Sequence, residues 1–146
     1  MPNAGMDFDA AGQAAKGKAV RDSVPRRAHG ELAEWSRDPV RILGEQDESR
    51  VPELVPIRYE RMLVSAFTFF RGAAALMAAD LAQGPASGLE AQLCGDAHLS
   101  NFGVFAAPDR RLVFDCNDFD ETLPGPWEWD VERLAASFEI AGRDRG

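Results

Sequence analysis

An aspartate and an asparagine lie five positions apart in the segment Asp96-Ala97-His98-Leu99-Ser100-Asn101, directly before a strand-like run. Kinase-type phosphotransferases use this spacing, because the aspartate takes the proton of the acceptor hydroxyl and the asparagine holds a metal ion on the nucleotide phosphates. An amide oxygen with carboxylates nearby suits magnesium, a hard cation that prefers oxygen ligands. The segment therefore predicts Asp96 as a catalytic base and Asn101 as a metal ligand.

A second acidic metal ligand is expected at the end of the following hairpin. Asp115 comes directly after the apolar run Leu112-Val113-Phe114, and its spacing from Asn101 favours it for this role. Asp118 is the rival, since Asp118-Phe119-Asp120 imitates an Asp-Phe-Gly motif with Asp in place of Gly. Both carboxylates could serve if two metal ions bind, so the choice between them stays open.

The acidic segment also has a simpler interpretation. A run of Asp and Asn after a strand is often turn chemistry, in which the side chains bond their own backbone. The order of features favours a phosphate and metal site instead, because loop Asp, Asn, strand, turn, strand and acidic cluster follow one another.

Three further polar residues are predicted to support the loop. His98 lies between Ala97 and Leu99 and is expected to brace the loop backbone. Asp130 begins the last helix, where a carboxylate can accept from free amides and interacts well with the helix dipole. Arg71 interrupts an apolar helix, and we expect it to pair with a loop carboxylate rather than to reach solvent along its stem.

The first part of the chain has few large apolar side chains. Residues 1–24 are predicted to form a flexible or weakly helical arm, followed by a polar helix from Pro25 towards Trp35. Asp38-Pro39 is a good helix start, with a capping side chain followed by Pro at the first helical position. Gly44 and the polar stretch Glu45 to Arg50 are expected to end that short helix.

The clearest helix is expected between Ser65, a plausible N-cap, and Gly84-Pro85, which stops it. Apolar residues recur there at spacings of three and four, as on a core-facing helix. They are Phe67, Phe70, Ala74, Met77 and Leu81. The preceding segment, Pro52 to Pro56, is predicted to be a connector.

After Leu89 the apolar period changes to that of strands. Short strands are predicted near Leu89 to Leu93, at Phe102 to Ala106 and at Leu112 to Phe114, the last two forming an antiparallel hairpin. Pro124-Gly125-Pro126 is expected to be a rigid loop before a final helix, Trp127 to Gly142. Its predicted apolar face consists of Val131, Leu134, Ala135, Phe138 and Ala141. The expected fold class is α+β.

Composition limits the classes of partner and location. The 146 residues suffice for one modest domain, and the net charge of −8 argues against nonspecific nucleic-acid binding. No apolar stretch is long enough for a transmembrane helix or a signal peptide, so we expect a cytoplasmic protein without a membrane partner. Cys94 and Cys116 lie in apolar runs and are expected to be buried, reduced thiols.

Four stretches resemble the bacterial domain-of-unknown-function 2252 family, and the resemblance runs from about Val24 to the end of the chain. They are Ser65-Ala66-Phe67-Thr68-Phe69-Phe70-Arg71-Gly72, Cys94-Gly95-Asp96-Ala97-His98-Leu99-Ser100-Asn101-Phe102-Gly103, Val113-Phe114-Asp115-Cys116-Asn117-Asp118-Phe119-Asp120-Glu121-Thr122 and Pro124-Gly125-Pro126-Trp127-Glu128-Trp129-Asp130.

The family is itself similar to the protein-kinase-like superfamily, close to the aminoglycoside and choline phosphotransferases. By position, the resemblance implies a catalytic role for Asp96, metal binding by Asn101 and Asp115, and a loop-bracing role for Asp130. It also implies ATP and Mg2+ as cofactors, a hydroxyl acceptor of unknown identity, and a kinase-like C-lobe with a small catalytic hairpin.

The resemblance carries two departures from the small-molecule kinases. Cys94 stands where those enzymes usually have His, and no glycine-rich loop or strand Lys precedes Asp96. The family is longer than this chain, so residues 25–146 are expected to be the N-terminal part of a truncated kinase-like domain. Without the C-terminal portion of the same protein, the chain is expected to be inactive and to bind nucleotide weakly or not at all.

Two other functions remain open from the sequence. The first is a pseudoenzyme or binding module that senses a nucleotide or a partner. The second is a metal-dependent hydrolase, in which His98 and the cluster Asp115, Asp118 and Asp120 hold an ion that activates water.

Overall fold

The computed structural model of the chain describes residues 9–31, 34 and 36–146. It is an α+β fold with small antiparallel sheets, as the sequence predicts. The helices are α1 (Ala10–Ser23), α2 (Pro39–Asp47), α3 (Val55–Met62), α4 (Ala66–Gly72), α5 (Ala74–Leu81) and α6 (Glu128–Asp144). The strands are β1 (Glu90–Leu93), β2 (Phe102–Ala106), β3 (Leu112–Cys116) and β4 (Leu123–Pro126).

The first described element is a helix with no buried side chain. Asp9 caps α1 by accepting a hydrogen bond from the amide of Gly12 at 3.0 Å. The polar helix predicted from Pro25 is only a short 3-10 turn, Arg26–Gly30. Its predicted end at Trp35, and residues 1–8 of the predicted arm, lie outside the described residues.

The predicted start of α2 is confirmed. The Asp38 carboxylate accepts from the amides of Val40 and Arg41 at 3.0 and 3.1 Å. The helix passes through Gly44 and ends at Asp47, within the polar stretch that is predicted to end it. A glycine inside a helix costs about 1 kcal/mol, and tertiary contacts of this helix offset that cost. The carboxylate of Asp47, for example, accepts from the Tyr59 hydroxyl at 2.6 Å.

The connector predicted at Pro52 to Pro56 instead contains helical structure. A 3-10 turn, Pro52–Leu54, leads directly into α3, which begins at Val55. Proline is tolerated in the first turn of a helix because its missing N–H has no partner there. The two prolines therefore introduce helices in this segment rather than separate them.

One helix predicted after Ser65 is in fact two. The Ser65 cap is confirmed, as its hydroxyl accepts from the Thr68 amide while Thr68 returns the bond to the Ser65 amide. The helical course breaks at Ala73, with φ −117° and ψ 36°. A Cβ added to Gly72 would lie 2.5 Å from the Met62 side chain. The chain therefore turns between α4 and α5, where Met62 of α3 packs closely against it. The second of the two helices, α5, ends at Leu81.

Two separate two-stranded sheets frame the loop between them. The predicted hairpin is confirmed, with β2 antiparallel to β3 and Gly103 opposite Asp115. The predicted loop Pro124-Gly125-Pro126 is wrong, since these residues belong to β4 and pair with β1. Proline is compatible with a strand whose outer edge is unpaired, and Gly125 admits the Leu93 side chain close to its backbone.

The last helix is confirmed, with bounds at Glu128 and Asp144, but its predicted apolar face is buried only in part. Ala141 is buried, and the half-buried Leu134 packs against a core cluster. Val131 and Phe138 are 51% and 55% exposed. The residues of α6 that are buried are Glu128, Arg133, Ser137 and Ala141. Three of these four are polar because this face meets backbone amides and a carboxylate of the neighbouring loop. Within the described residues, no helix is long and apolar enough to cross a membrane.

Candidate functional site

The loop after β1 turns sharply at a glycine. Gly95 has a φ of +87°, a left-handed conformation that side-chain-bearing residues rarely adopt. A Cβ at this position would lie 2.0 Å from the main-chain oxygen of Glu121. The loop and the acidic segment after β3 therefore lie backbone against backbone, and only glycine fits between them.

Asp130 holds the start of this loop. Its Oδ2 accepts from the amide of Cys94 at 2.8 Å, and its Oδ1 accepts from the amide of Gly95 at 3.1 Å. Hydrogen bonds to an ionised acceptor are roughly twice as strong as those between neutral groups. The first turn of α6 is thus bonded to the two residues that precede Asp96.

The side chain of Asp96 is held from the protein interior by Arg133. The Arg133 Nε donates to Oδ1 of Asp96 at 2.6 Å, and Nη2 contacts the same oxygen. Arg133 is 3% exposed, whereas the Asp96 side chain is 19% exposed. One carboxylate oxygen is consequently engaged by the guanidinium, and the other lies 3.6 Å from Nε2 of the buried His98.

Arg133 also joins α6 to α4 and α5. Its Nη2 donates to the main-chain oxygen of Phe70 at 3.0 Å, and its guanidinium lies 4.4 Å from the centre of the Phe70 ring. Its Nη1 contacts the sulfur of Met77 at 3.7 Å. A buried arginine with this many partners fixes the position of the carboxylate that it binds.

The predicted pairing of Arg71 with a loop carboxylate is wrong. In the described part of the chain Arg71 makes no ion pair, and it is exposed. It lines a surface groove with Arg58 and Arg61. Arg133 occupies the carboxylate instead, because α6 reaches the loop from inside while Arg71 stands at the solvent-facing end of α4.

His98 is buried next to Asp96 rather than bonded to the loop backbone as predicted. Its Nε2 lies 3.6 Å from Oδ2 of Asp96, and its ring meets the Phe67 ring edge-on at 6.5 Å. No group among the described residues bonds Nδ1. Burial lowers the pKa of His98, with the charges of Arg71 and Arg133 acting in the same direction and that of Asp96 against it. The imidazole is therefore held in its neutral form.

The loop backbone is braced by Asn101 and Ser137. The Asn101 Nδ2 donates to the main-chain oxygen of Asp96 at 2.9 Å, which directs its Oδ1 away from that bond. The Ser137 hydroxyl accepts from the Leu99 amide at 3.0 Å. The amide of Asn117 donates to the main-chain oxygen of Asn101 at 2.9 Å. Asn101 therefore connects the loop to the end of β3.

Asp115 and Asp118 lie on either side of that connection. Oδ1 of Asp115 accepts from the amide of Cys116 at 2.8 Å. Oδ1 of Asp118 accepts from the amide of Asp120 at 3.2 Å. This bond from a side chain to the nearby backbone is the turn structure that the alternative interpretation of the acidic run predicts. Asp118 and Asp120 are exposed. Each carboxylate keeps its second oxygen free of hydrogen bonds to the described residues.

A cavity of about 280 Å³ separates the loop from the hairpin and α6. Cys94, Asp115, Cys116 and Asp130 contribute to its lining. Both cysteines are free and buried. Burial, reinforced by the charge of Asp130, raises the pKa of the Cys94 thiol to about 12, so this sulfur is a neutral packing group at physiological pH.

The described residues contain no cluster of the kind that a histidine-containing metal centre needs. Over residues 9–31, 34 and 36–146, no three His, Cys, Asp or Glu side chains converge on one point. The hydrolase alternative, which needs His98 with the acidic cluster, finds no support in this arrangement. An amide oxygen and one or two carboxylates, the donor set that Mg2+ accepts together with phosphate and water, require no such cluster.

Arg133 and Ser137 are the site residues that the sequence analysis missed. They stand four positions apart, which is the spacing of one helix face, and both bond the segment Asp96 to Leu99. The available signal was a polar pair on a helix beside Asp130. Val131, Leu134 and Phe138 form a more apolar stripe on the same helix, and this stripe predicts a different buried face.

Comparison with protein-family models identifies a family. Residues 50–146 match the model of the family DUF2252, described as uncharacterised proteins conserved in bacteria. The match begins at residue 50, later than the predicted start near Val24, and includes every residue of the site described above. No curated protein and no solved structure shows significant similarity to the chain.

Proposed function

The chain belongs to the DUF2252 family, and we propose that it carries the catalytic loop of a kinase-like phosphotransferase that moves a phosphoryl group from ATP to a hydroxyl acceptor. One observation carries the proposal: the two oxygens of Asp130 bond the amides of Cys94 and Gly95 and so set the loop that presents Asp96 and Asn101. Phosphoryl transfer depends almost entirely on positioning and electrostatics, so a braced loop is what the chemistry needs.

Asp96 is assigned as the base that accepts the proton of the acceptor hydroxyl. Arg133 engages Oδ1, which leaves Oδ2 as the oxygen that would accept the proton. His98, neutral and 3.6 Å from Oδ2, lies behind that oxygen and adds no competing charge. The hydroxyl oxygen that loses its proton to Oδ2 then attacks the terminal phosphorus, and ADP leaves.

Asn101, Asp115 and Asp118 are assigned as the residues that would hold magnesium. Asn101 commits its Nδ2 to the loop and keeps Oδ1, while Asp115 and Asp118 each keep one unbonded carboxylate oxygen. This all-oxygen set fits a hard cation. Bound magnesium would neutralise charge on the nucleotide phosphates, and the choice between Asp115 and Asp118 is made by the experiment below.

The wider relationship to the kinase-like superfamily is part of the same proposal. The order of loop, β2–β3 hairpin, acidic strand end and helix-start Asp130 is the order that a kinase C-lobe uses around its catalytic loop. The described residues are assigned the catalytic and metal-binding half of the site. The grip on the nucleotide is assigned to the remainder of the same protein.

Calorimetric titration of Mg2+-ATP into the full-length protein, which includes the part assigned to grip the nucleotide, tests the proposal. The same titration is made with the Asp115→Asn and Asp118→Asn variants of that protein. We expect the variant that loses the metal ligand to bind at least about tenfold more weakly, since a charged contact is worth about 1.5–3 kcal/mol. Asp109→Asn is the matched control, because Asp109 lies in the turn of the same hairpin and pairs only with Arg111 among the described residues.

A second comparison separates binding from chemistry. Asp96→Asn should retain Mg2+-ATP binding and lose phosphoryl transfer to any acceptor found by screening hydroxyl compounds. Absence of binding at millimolar nucleotide by the unsubstituted full-length protein would overturn the phosphotransferase proposal. Equal binding by Asp115→Asn, Asp118→Asn and Asp109→Asn would overturn the metal-ligand assignment alone.

A further inference from the structure

A groove of about 480 Å³ lies between residues 50–62 and α4. Among the described residues, four arginines and no aspartate or glutamate line it; the arginines are Arg50, Arg58, Arg61 and Arg71. The chain as a whole has 24 acidic residues and 16 basic ones, so the charge of this wall is opposite to the charge of the protein. A concave surface lined by one sign of charge concentrates ions of the other sign. None of the residues assigned to phosphoryl transfer lines the groove.

Arg58 is fixed in the wall of the groove by contacts with the interior. Its side chain is 15% exposed, and its Nη2 donates to the main-chain oxygen of Gly72 at 2.7 Å. Its Nη1 donates to Oδ1 of Asp47 at 3.3 Å, and its guanidinium lies 5.4 Å from the centre of the Tyr59 ring. Asp47 therefore compensates the charge of one of the four arginines.

The other three arginines of the groove have no acidic partner in the part of the chain that the structure describes. Arg50, Arg61 and Arg71 are exposed and make no ion pair there. Glu53 and Glu60 belong to the same segment of the chain but do not line the groove. One exposed arginine attracts an anion only weakly, because water screens its charge. Three arginines around one concavity act on the same anion, so their weak attractions add.

The groove also has apolar surface for the rest of a ligand. Leu54 and Ile57 line it and are 56% and 43% exposed, and the buried Met62 lines it as well. A carbon skeleton that covers these side chains removes apolar surface from water, which is favourable. The groove therefore combines an anion-attracting rim with a surface that suits an organic group.

We propose that this groove binds a small organic phosphate ester. The phosphate group contacts Arg50, Arg61 and Arg71, while the carbon skeleton lies against Leu54 and Ile57. A phosphate monoester carries about 1.5 to 2 negative charges at neutral pH and offers three acceptor oxygens. The planar guanidinium group matches the geometry of phosphate oxygens and can bond two of them at once. The proposal is independent of the phosphotransferase proposal, because the two use different residues.

Other ligand classes fit the groove less well. A carboxylate brings one charge and two oxygens, which leaves part of the positive charge of the wall uncompensated. A neutral alcohol gains nothing from that charge, and a cation is repelled by it. A nucleic acid would bring many phosphates against a chain whose net charge is −8. A phospholipid headgroup shares the chemistry of a phosphate ester and is distinguished by experiment.

Three aromatic probes of different charge test the proposal by calorimetric titration of the full-length protein: phenyl phosphate, benzoate and benzyl alcohol. The titrations are made without Mg2+, so that the proposed metal ligands do not contribute. We expect phenyl phosphate to bind at least about tenfold more tightly than benzoate, since each further charge-assisted hydrogen bond adds affinity. Benzyl alcohol should bind most weakly. Equal affinities for the three probes, or no binding of phenyl phosphate, would overturn the proposal.

Substitution of two exposed arginines locates the bound phosphate. Arg61→Gln and Arg71→Gln should each weaken the binding of phenyl phosphate about threefold, and the double variant at least about tenfold. Arg143→Gln is the matched control, because it removes the same charge from an exposed position on α6 outside the groove. Undiminished binding by the double variant would overturn the assignment of the groove. If this variant fails to fold, the comparison of the three probes on the unsubstituted protein decides the question.

A further titration distinguishes a soluble ester from a lipid headgroup. Phosphatidylcholine vesicles that contain phosphatidic acid present the same phosphate group on a membrane surface. We expect the protein to sediment with these vesicles no more than with vesicles of phosphatidylcholine alone, since the chain is acidic overall. Sedimentation with the phosphatidic acid vesicles, together with an absence of phenyl phosphate binding, would overturn the proposal of a small soluble ligand.

Discussion

Arg133 donates through Nε to Oδ1 of Asp96 at 2.6 Å from a position that is 3% exposed. This ion pair joins the buried face of α6 to the loop that carries the proposed base. Because the same guanidinium also bonds the Phe70 carbonyl and packs on the Phe70 ring, the position of the Asp96 carboxylate is set by the helical core. The loop by itself does not determine it.

Replacing Arg133 by Met should therefore destabilise the protein by about 3 kcal/mol, because it leaves the carboxylate without its partner. Urea unfolding measures the loss. Arg143→Met is the control and should cost less than about 0.5 kcal/mol, since Arg143 is exposed in an i, i+4 pair with Glu139. The double variant Arg133→Met with Asp96→Asn should lose less than the sum of the two single losses. Strict additivity would show that the pair is not coupled.

Gly95→Ala should damage the loop more than the same change at another left-handed glycine. Gly88 has a φ of +75° with open space around its Cβ position, so Gly88→Ala should cost about 1 kcal/mol of conformational strain. Gly95→Ala adds a collision with the Glu121 backbone and should cost about 3 kcal/mol. Thermal or urea unfolding compares the two variants. Equal losses would mean that the acidic segment moves away freely.

Asp130→Asn should loosen the start of the loop while leaving α6 folded. The variant keeps the shape of the side chain but loses the charge that the amides of Cys94 and Gly95 bond. Hydrogen exchange at these two amides should become at least about tenfold faster. Glu139→Gln, on the exposed side of the same helix, should leave both rates unchanged. Unaltered exchange in Asp130→Asn would show that the loop does not need this brace.

His98 should make the protein less stable in acid. Burial lowers its folded pKa from the ordinary value of 6.5, so the unfolded chain takes up the proton first. The stability contributed by neutral His98 is present above about pH 6.5 and is lost as the pH falls through the interval below it. His98→Gln should show a smaller loss of unfolding free energy between pH 7 and pH 5 than the unsubstituted protein. Parallel curves for the two proteins would contradict a buried neutral imidazole.

Features determined by neighbouring residues could be predicted from the sequence. The Asp38 and Ser65 caps depend on contacts within three positions, and the β2–β3 hairpin depends on a short turn between two apolar runs. The α+β class followed from these local patterns. The break at Ala73 did not, because it arises where Met62 approaches Gly72 from another helix.

The buried face of α6 shows why part of the site escaped sequence analysis. Arg133 and Ser137 are buried because they bond a loop more than thirty positions earlier in the chain, and no local periodicity reports such partners. The apolar Val131 and Phe138 remain exposed. Similarly, the sequence Pro124-Gly125-Pro126 predicts a loop, and its pairing with β1 is visible only in the folded structure. The candidate site residues could be predicted from their residue types, whereas the partner of Asp96 could be identified only from the folded structure.

The β2–β3 hairpin is a two-stranded ribbon with Val104, Leu112 and Phe114 exposed. Such ribbons are only marginally stable in water without further packing. The two halves of the candidate site therefore differ in stiffness: Asp96 is anchored to a rigid helix, whereas Asp115 is carried on a compliant ribbon. In the proposed phosphotransferase, this difference would keep the base Asp96 in one place and would let Asp115 adjust to the size and coordination of a bound cation.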